Sequence, residues 1–221
     1  MFGPSSLCAV AAGYILDLLI GDPRWLPHPV KGIGWLIGKL EGPLGRFGRT
    51  GGVLLTVTVV GITYVSTYIV LRLSYNCDMR LGFAASCVLI YLSLATRDLD
   101  VEVRRVYHSL EGGDVARARW HLSRVVGRDT EGLNQDEVVR AAVETVAENT
   151  VDGVISPLFY VFLGGPCLAW TYKAVNTLDS MVGYRDERYR ELGWFPARLD
   201  DAANWLPARI SAILIIMSAF V

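Results

Sequence analysis

The chain has 221 residues, 52% hydrophobic and 19% charged, with a formal net charge of -1 and a mean hydropathy of +0.35. Charge this sparse is unusual for a soluble domain, and the apolar residues sit in discrete blocks, which argues for a multi-span membrane protein. The balanced charge excludes nucleic acid as a partner, because phosphate binding needs clustered positive charge.

Ser6–Ile20 is apolar except for Asp17, and lacks the basic leader and small-residue cleavage site of a signal peptide, so it reads as a retained span or half-span. GDPRWLPHPVKGIGWLIGKLEG follows. Pro23, Pro27 and Pro29 forbid a continuing helix, since each lacks an N–H and restrains its predecessor. Trp25 and Trp35 suit the headgroup level. Asp22 and His28 lie in this rigid loop, where turn formation and substrate contact are both open readings.

Val53–Leu73 is the clearest span, uncharged until Arg72 and long enough to cross a bilayer. The turn SYNCDMR leads to a second span, Leu81–Ala95, which is expected to run on as a helix into water, with Leu99, Val103, Val106 and Leu110 at helical spacing. Gly112–Gly113 stops it. Asp114 can cap the next helix, which Gly127 is expected to end. A third helix begins at Asn134, with Glu137 completing a capping box. The cysteines Cys8, Cys77, Cys87 and Cys167 show neither metal spacing nor a paired framework and read as small apolar fillers.

Glu144 and Glu148 lie one turn apart on that third helix, with Asp152 beyond. Such carboxylates suit Mg²⁺, which usually takes one or two of them plus substrate phosphates; the alternative is an acidic surface with Arg140 pairing Glu144. Asn149 and an Asp152–Gly153 turn lead into the apolar run Val154–Trp170, broken by Gly164-Gly165-Pro166. This run is read as re-entrant, because irregular backbone at membrane depth is tolerated when protein buries it. The loops 21–50 and 97–153 hold five and eight Lys/Arg, against Arg80 alone in 74–80. The positive-inside rule places both rich loops in the cytoplasm.

Beyond the break, Lys173, Asn176, Thr177 and Ser180 share a helical face flanked by Asp179. YRDERYRE, containing Arg185 and Asp186, reads as a surface helix with charges paired among themselves; RLDD follows, with Arg198, Asp200 and Asp201. The run from Ile210 to Val221 is too short to cross, since a span needs roughly 20 residues, so the chain is expected to continue beyond it. The expected fold class is all-α, a polytopic integral membrane protein with three parts: membrane spans with a Pro-rich loop (1–96), a cytosolic helical subdomain (97–153), and a re-entrant segment with the polar motifs and a further span (154–221).

No GxxxxGK[ST] phosphate loop, HExxH or paired CxxC occurs, which argues against a P-loop nucleotide site and a zinc enzyme. At LDLLIGDPRWLPHPV (16–30), RDL (97–99), VVGRDT (125–130), AAVETVAENTVDGVISPLFY (141–160), YKAVNTLDSMVGYRDERYRELGW (172–194) and RLDDAANWLPAR (198–209) the sequence resembles the adenosylcobinamide-phosphate synthases of cobalamin biosynthesis, the CobD/CbiB family. The resemblance implies a cell-membrane enzyme with its motifs facing the cytoplasm. Such an enzyme joins adenosylcobyric acid, a corrinoid, to (R)-1-aminopropan-2-ol or its O-phosphate as an amide, consuming ATP with Mg²⁺.

In that setting Glu144, Glu148 and Asp152 would be metal ligands. Glu144, Glu148, Lys173, Asp179 and Asp201 would be catalytic. Asp22, His28, Asn149, Asn176, Ser180, Arg185, Arg198 and Asp200 would bind substrate. Asp179, Asp200 or Asp201 would take the proton from the attacking ammonium. Further partners would be the lipid bilayer and a second copy or other enzymes of the pathway.

Two alternative functions fit parts of the sequence. A transporter would use 154–170 as part of its pathway, but polar residues concentrate in loops and no internal repeat is visible. A phospholipid-type alcohol phosphotransferase needs DGxxAR followed by glycine and aspartates. Here Gly113, Ala116–Arg117 and Gly127 fit, while Gly112, Glu131 and Gln135 stand where aspartates belong.

Overall fold

A computed structural model describes residues 4–218 and 220, apart from 24, 26, 128 and 185. Among the described residues all regular structure is helical: α1 (Pro4–Ile20), α2 (Pro29–Gly45), α3 (Gly48–Cys77), α4 (Met79–Tyr91), α5 (Thr96–Glu111), α6 (Val115–Leu122), α7 (Gln135–Thr150), a π-turn (Val151–Ile155), α8 (Ser156–Val182) and α9 (Trp194–Ser218). Three stretches, Gly48–Cys77, Met79–Glu111 and Gln135–Val182, are long and apolar enough to cross a membrane, and Ser6–Ile20 is a shorter apolar helix. The chain is an all-helical protein compatible with a polytopic membrane fold.

α3 shows how such a helix satisfies both lipid and neighbours. Gly52, Leu55, Thr56, Val59, Thr63 and Thr67 recur at helical spacing and are buried, whereas Leu54, Val57, Ile62, Val65 and Ile69 on other faces are exposed. The buried hydroxyls of Thr56, Thr63 and Thr67 each donate to the carbonyl four residues back at 2.8 Å, so no polar group is carried inward unpaired. Against this face pack Ile33 and Ile37 of α2, Tyr91, Leu92, and Trp170, Leu178 and Val182 of α8. A separate core of Val106, Ala118, Leu122, Val138 and Ala141 joins α5, α6 and α7.

α8 is two helices joined by a reversal. Gly164 (φ -159°, ψ 26°) and Gly165 (φ 70°, ψ -163°) leave helical geometry, and the rings of Tyr160 and Tyr172 consequently stack with centroids 5.1 Å apart. In a straight helix these positions would be about 18 Å apart. The apolar part of the first arm, residues 154–163, rises only about 15 Å, against roughly 30 Å of hydrocarbon, so this apolar stretch alone is shorter than a span. The expected break in this run is therefore observed as a reversal, and the stretch Gln135–Val182, although long and apolar, is not one straight span.

Other expectations are corrected. The α4 helix does not run on into water: it ends at Tyr91, and α5 begins at Thr96. The break is pinned where Ala95 N–H donates to Gly153 O at 3.0 Å and Thr96 N–H to the buried Asp17 carboxylate at 2.9 Å. α6 ends at Leu122, short of Gly127. Asp152–Gly153 forms no turn, because the helix continues through it as a π-turn. Residues 186–193 form turns instead of a helix. Their charges pair outward, Arg188 with Glu41 and Glu191 with Arg49, at 3.1 and 2.9 Å.

Candidate functional site

Three adjoining cavities run along one end of the helical assembly. The first, about 380 Å³, is lined by Asp22, His28, Lys31, Lys173 and apolar neighbours including Leu92 and Leu94. The second, about 270 Å³, shares Lys173 and Ala95 with the first and adds Asp98, Glu102, Asn149, Asp152 and Asn176. The third, about 420 Å³, shares Asn149 and Asp152 with the second and adds Glu144, Glu148, Asp179, Ser180 and Tyr184. Lys173 thus stands on the partition between the first two, and Asp152 between the second and third.

The first cavity is built by stitching the end of α1 to the start of α5. Gly21, at φ 64°, turns the chain out of α1, and a side chain there would meet the Asp98 carboxylate at 2.8 Å. The Arg97 guanidinium donates to the carbonyls of Leu18 and Leu19, capping α1. Asp22 N–H donates to both Asp98 oxygens at 3.3 and 3.2 Å. His28 is the N-cap of α2, its Nδ1 accepting from Val30 N–H at 3.2 Å, with proline in the first turn. Its Nε2 lies 3.6 Å from Asp22 Oδ1, and neither atom has a hydrogen-bond partner. Burial, then the nearby Asp98 and Asp17, push the Asp22 carboxyl up to about 6 against the pull of Lys173. Burial, with Lys173, lowers His28, which favours the neutral ring.

A polar network closes the other side. Asn204 Nδ2 donates to Asp152 Oδ1 at 3.1 Å and to Asp200 Oδ2 at 3.0 Å. Its Oδ1 accepts from Ser156 Oγ at 2.6 Å, and the Tyr172 hydroxyl lies 3.0 Å from that oxygen and 3.1 Å from Asp152 Oδ1. Asn176 Nδ2 reaches Asp200 Oδ1 at 3.5 Å. Burial first, then Asp152 and Asp179, raise Asp200 to about 7, opposed by the amides of Asn204 and Asn176.

The hairpin therefore brings Glu144, Glu148, Asn149, Asp152, Lys173, Asn176, Asp179 and Ser180 onto adjoining cavity walls, and the α1–α2 loop adds Asp22 and His28. Asp200 joins through the amide network, and Asp201 is exposed within electrostatic reach of Asp179. Arg198 is exposed on α9 and lines none of the three cavities. Arg185 lies outside the described residues.

Among the described residues no group of three His, Cys, Asp or Glu is arranged to hold a metal ion. Yet the described lining of the third cavity contains Glu144, Glu148, Asp152 and Asp179 and no Lys or Arg. Hard carboxylate oxygens are the donors that Mg²⁺ takes, with water and phosphate completing its shell.

Reasoning from sequence missed Asp98, Tyr172 and Asn204. Asp98 and Asn204 are polar residues inside the motifs RDL and RLDDAANW, and Asn204 falls on the same side of α9 as Asp200 by its spacing of four.

A family model described as "CobD/Cbib protein" matches residues 10–221. The chain is 51% identical over 213 residues to "Cobalamin biosynthesis protein CobD" of Geobacter metallireducens, covering 95% of this chain and 67% of that protein. It is 46% identical over 220 residues to the protein of that name from Klebsiella pneumoniae, covering 97% and 69%. It is 45% identical over 220 residues to "Cobalamin biosynthesis protein CbiB" of Salmonella typhi, again covering 97% and 69%. The chain spans about two thirds of the length of these curated relatives. No solved structure matches it.

Proposed function

The chain belongs to the CobD/CbiB family of cobalamin-biosynthesis proteins, and we propose that it forms an amide, at the expense of ATP, between the free carboxylate of adenosylcobyric acid and (R)-1-aminopropan-2-ol or its O-phosphate. The observation that carries this reading is the placement of Lys173 between a cavity holding Asp22 and His28 and one adjoining the carboxylates of α7. A carboxylate is a poor acyl donor at neutral pH. Transfer of the ATP γ-phosphoryl group to it would give an acyl phosphate, and catalysis of such transfer is positioning plus electrostatics.

In this reading Glu144, Glu148 and Asp152 would hold Mg²⁺, which supplies charge neutralisation on the transferred phosphoryl group. Lys173 holds the acyl phosphate from the partition, and Asn149, Asn176 and Ser180 orient the phosphates through neutral hydrogen bonds. Asn204, by tying Asp152 to Asp200, fixes the carboxylate wall. The apolar walls of the first cavity, Val30, Leu92 and Leu94, exclude water that would otherwise hydrolyse the activated acid. The relatives share a name that concerns biosynthesis, which supports synthesis over transport.

The test is turnover in membranes supplied with adenosylcobyric acid, aminopropanol phosphate and Mg-ATP, followed as formation of the cobinamide phosphate. Glu148→Gln and Lys173→Ala are expected to abolish product at unchanged protein level. Full activity in both variants removes this site assignment.

A further inference from the structure

Amide formation needs a neutral amine, and an alkylammonium with a pKa of about 10 must lose a proton to a group within reach before it can attack. The candidate bases differ in what their oxygens already do. Both oxygens of Asp200 accept from amides, those of Asn176 and Asn204. Asp179 lies in the cavity assigned to phosphates and their cation. Asp201 is exposed on α9. Asp22 Oδ1, in contrast, is buried without a hydrogen-bond partner in the wall of the first cavity. Its backbone is held by Asp98.

His28 cannot take that part while α2 stays capped. Its Nδ1 lone pair is committed to Val30 N–H, so the neutral ring carries its proton on Nε2, the atom 3.6 Å from Asp22 Oδ1. At that distance the ring is a close dipole beside the carboxylate and makes no hydrogen bond to it. It has no lone pair to offer an ammonium.

From this geometry we infer that Asp22 is the general base of the ligase reaction proposed above, with His28 as its positioning residue; the inference rests on that reading. The Asp22 carboxylate takes one proton from the substrate ammonium. The freed nitrogen lone pair forms the C–N bond at the acyl carbon of the acyl phosphate, and the bond from that carbon to the bridging oxygen breaks. Phosphate leaves with the electron pair and the second nitrogen proton, and Asp22 returns its proton to water.

The surroundings suit that work. Asp22 is faced by Asp17 from α1, Tyr91 from α4, Asp98 from α5, His28 and Lys31 from the start of α2, and Lys173 from α8. Burial and the two neighbouring carboxylates raise its pKa to about 6, close to an operating pH near neutrality and so favourable for a base.

The test separates activation of the acid from attack by the amine. Hydroxylamine is already neutral at pH 7 and traps an acyl phosphate as a hydroxamate with no base. Membranes carrying the full protein would be assayed for ATP-dependent hydroxamate and for amide, in wild type, Asp22→Asn, Asp22→Glu and His28→Asn. Asp22→Asn is expected to lose amide formation by about 10²-fold or more and to retain hydroxamate formation, which also reports that it has folded. Asp22→Glu should restore part of the amide rate. In His28→Asn, where asparagine keeps the cap and removes the donor, the acid limb of the amide pH profile should move upward while hydroxamate formation is unchanged. Equal loss of both products in Asp22→Asn, or amide formation at the wild-type rate with an unmoved limb, overturns the base assignment. A wild type yielding neither product overturns the ligase reading itself, and the role of Asp22 with it.

Discussion

Tyr160 and Tyr172 stack at 5.1 Å, the mark of a reversal that sets Asp152 and Lys173 on the wall of one cavity. With the reversal at Gly164–Gly165 the second arm of α8 returns beside the first, and Tyr172 reaches Asp152 at 3.1 Å. Gly165, at φ 70° and ψ -163°, occupies backbone space that is essentially glycine-only. No atom lies within 4 Å of where its Cβ would be, so a substitution there acts through the backbone alone. Gly165→Ala is expected to cost about 1–3 kcal/mol, read as a fall in melting temperature in detergent. Cysteines replacing Tyr160 and Tyr172 in a background without the native four should cross-link with a short bifunctional reagent. Failure to cross-link in folded protein would mean a straight helix.

Asn204 is the shared donor of Asp152 and Asp200, at 3.1 and 3.0 Å. Asn204→Leu removes that amide and leaves both carboxylates short of a partner, a loss of about 1–3 kcal/mol for a partly buried group. The melting temperature should fall, and turnover should fall with it even at temperatures where the variant is folded, because Asp152 is released. Unchanged turnover in Asn204→Leu would show that the network does not position the carboxylate wall.

These two features divide what sequence can show from what it cannot. The apolar blocks, the Asn134–Glu137 capping box and the glycine break are local signals, each fixed by backbone chemistry within a few residues, and they were legible. The reversal was legible as well, because a Gly-Gly-Pro inside an apolar run has few other uses. The end of α4 was not: Tyr91–Ala95 carries no glycine or proline, and its break is held by Gly153 and Asp17 from elsewhere in the chain. The pairing of Arg188 with Glu41 is likewise tertiary, so 184–191 reads as a helix from its charges, whereas 186–193 is a set of turns. Site residues on one face, such as Lys173 and Asn176, could be picked by periodicity, whereas Asp98 earned its place only through a contact with Asp22.

Asp200 gives the protein a stability that falls as pH rises. Its carboxyl is raised from 3.8 to about 7 by burial and by Asp152 and Asp179. Between these values the native chain holds a proton that the unfolded chain has released, so unfolding free energy declines with increasing pH across that window and levels off above about 7. Melting temperature measured from about pH 5 to about pH 8 should therefore drop, and Asp200→Asn, neutral throughout, should flatten the dependence. An equally steep profile in Asp200→Asn would assign the effect to other groups.

The hairpin also fixes which positions must share a side of the membrane. Ser123 follows α6, and Ser180 lies near the end of the second α8 arm; both are exposed. Val125 and Ser180 line the same cavity, so the α6–α7 connection and the end of α8 meet in one aqueous space. By the positive-inside rule, the five and eight basic residues of 21–50 and 97–153 predict that this space faces the cytoplasm. Single cysteines at Ser123 and Ser180, in a background lacking the native cysteines, should both resist a membrane-impermeant maleimide on intact cells and both react in inverted vesicles. External labelling at both sites would invert the orientation and leave the site intact. External labelling at Ser180 alone would mean that the chain crosses between them and would overturn the shared aqueous face.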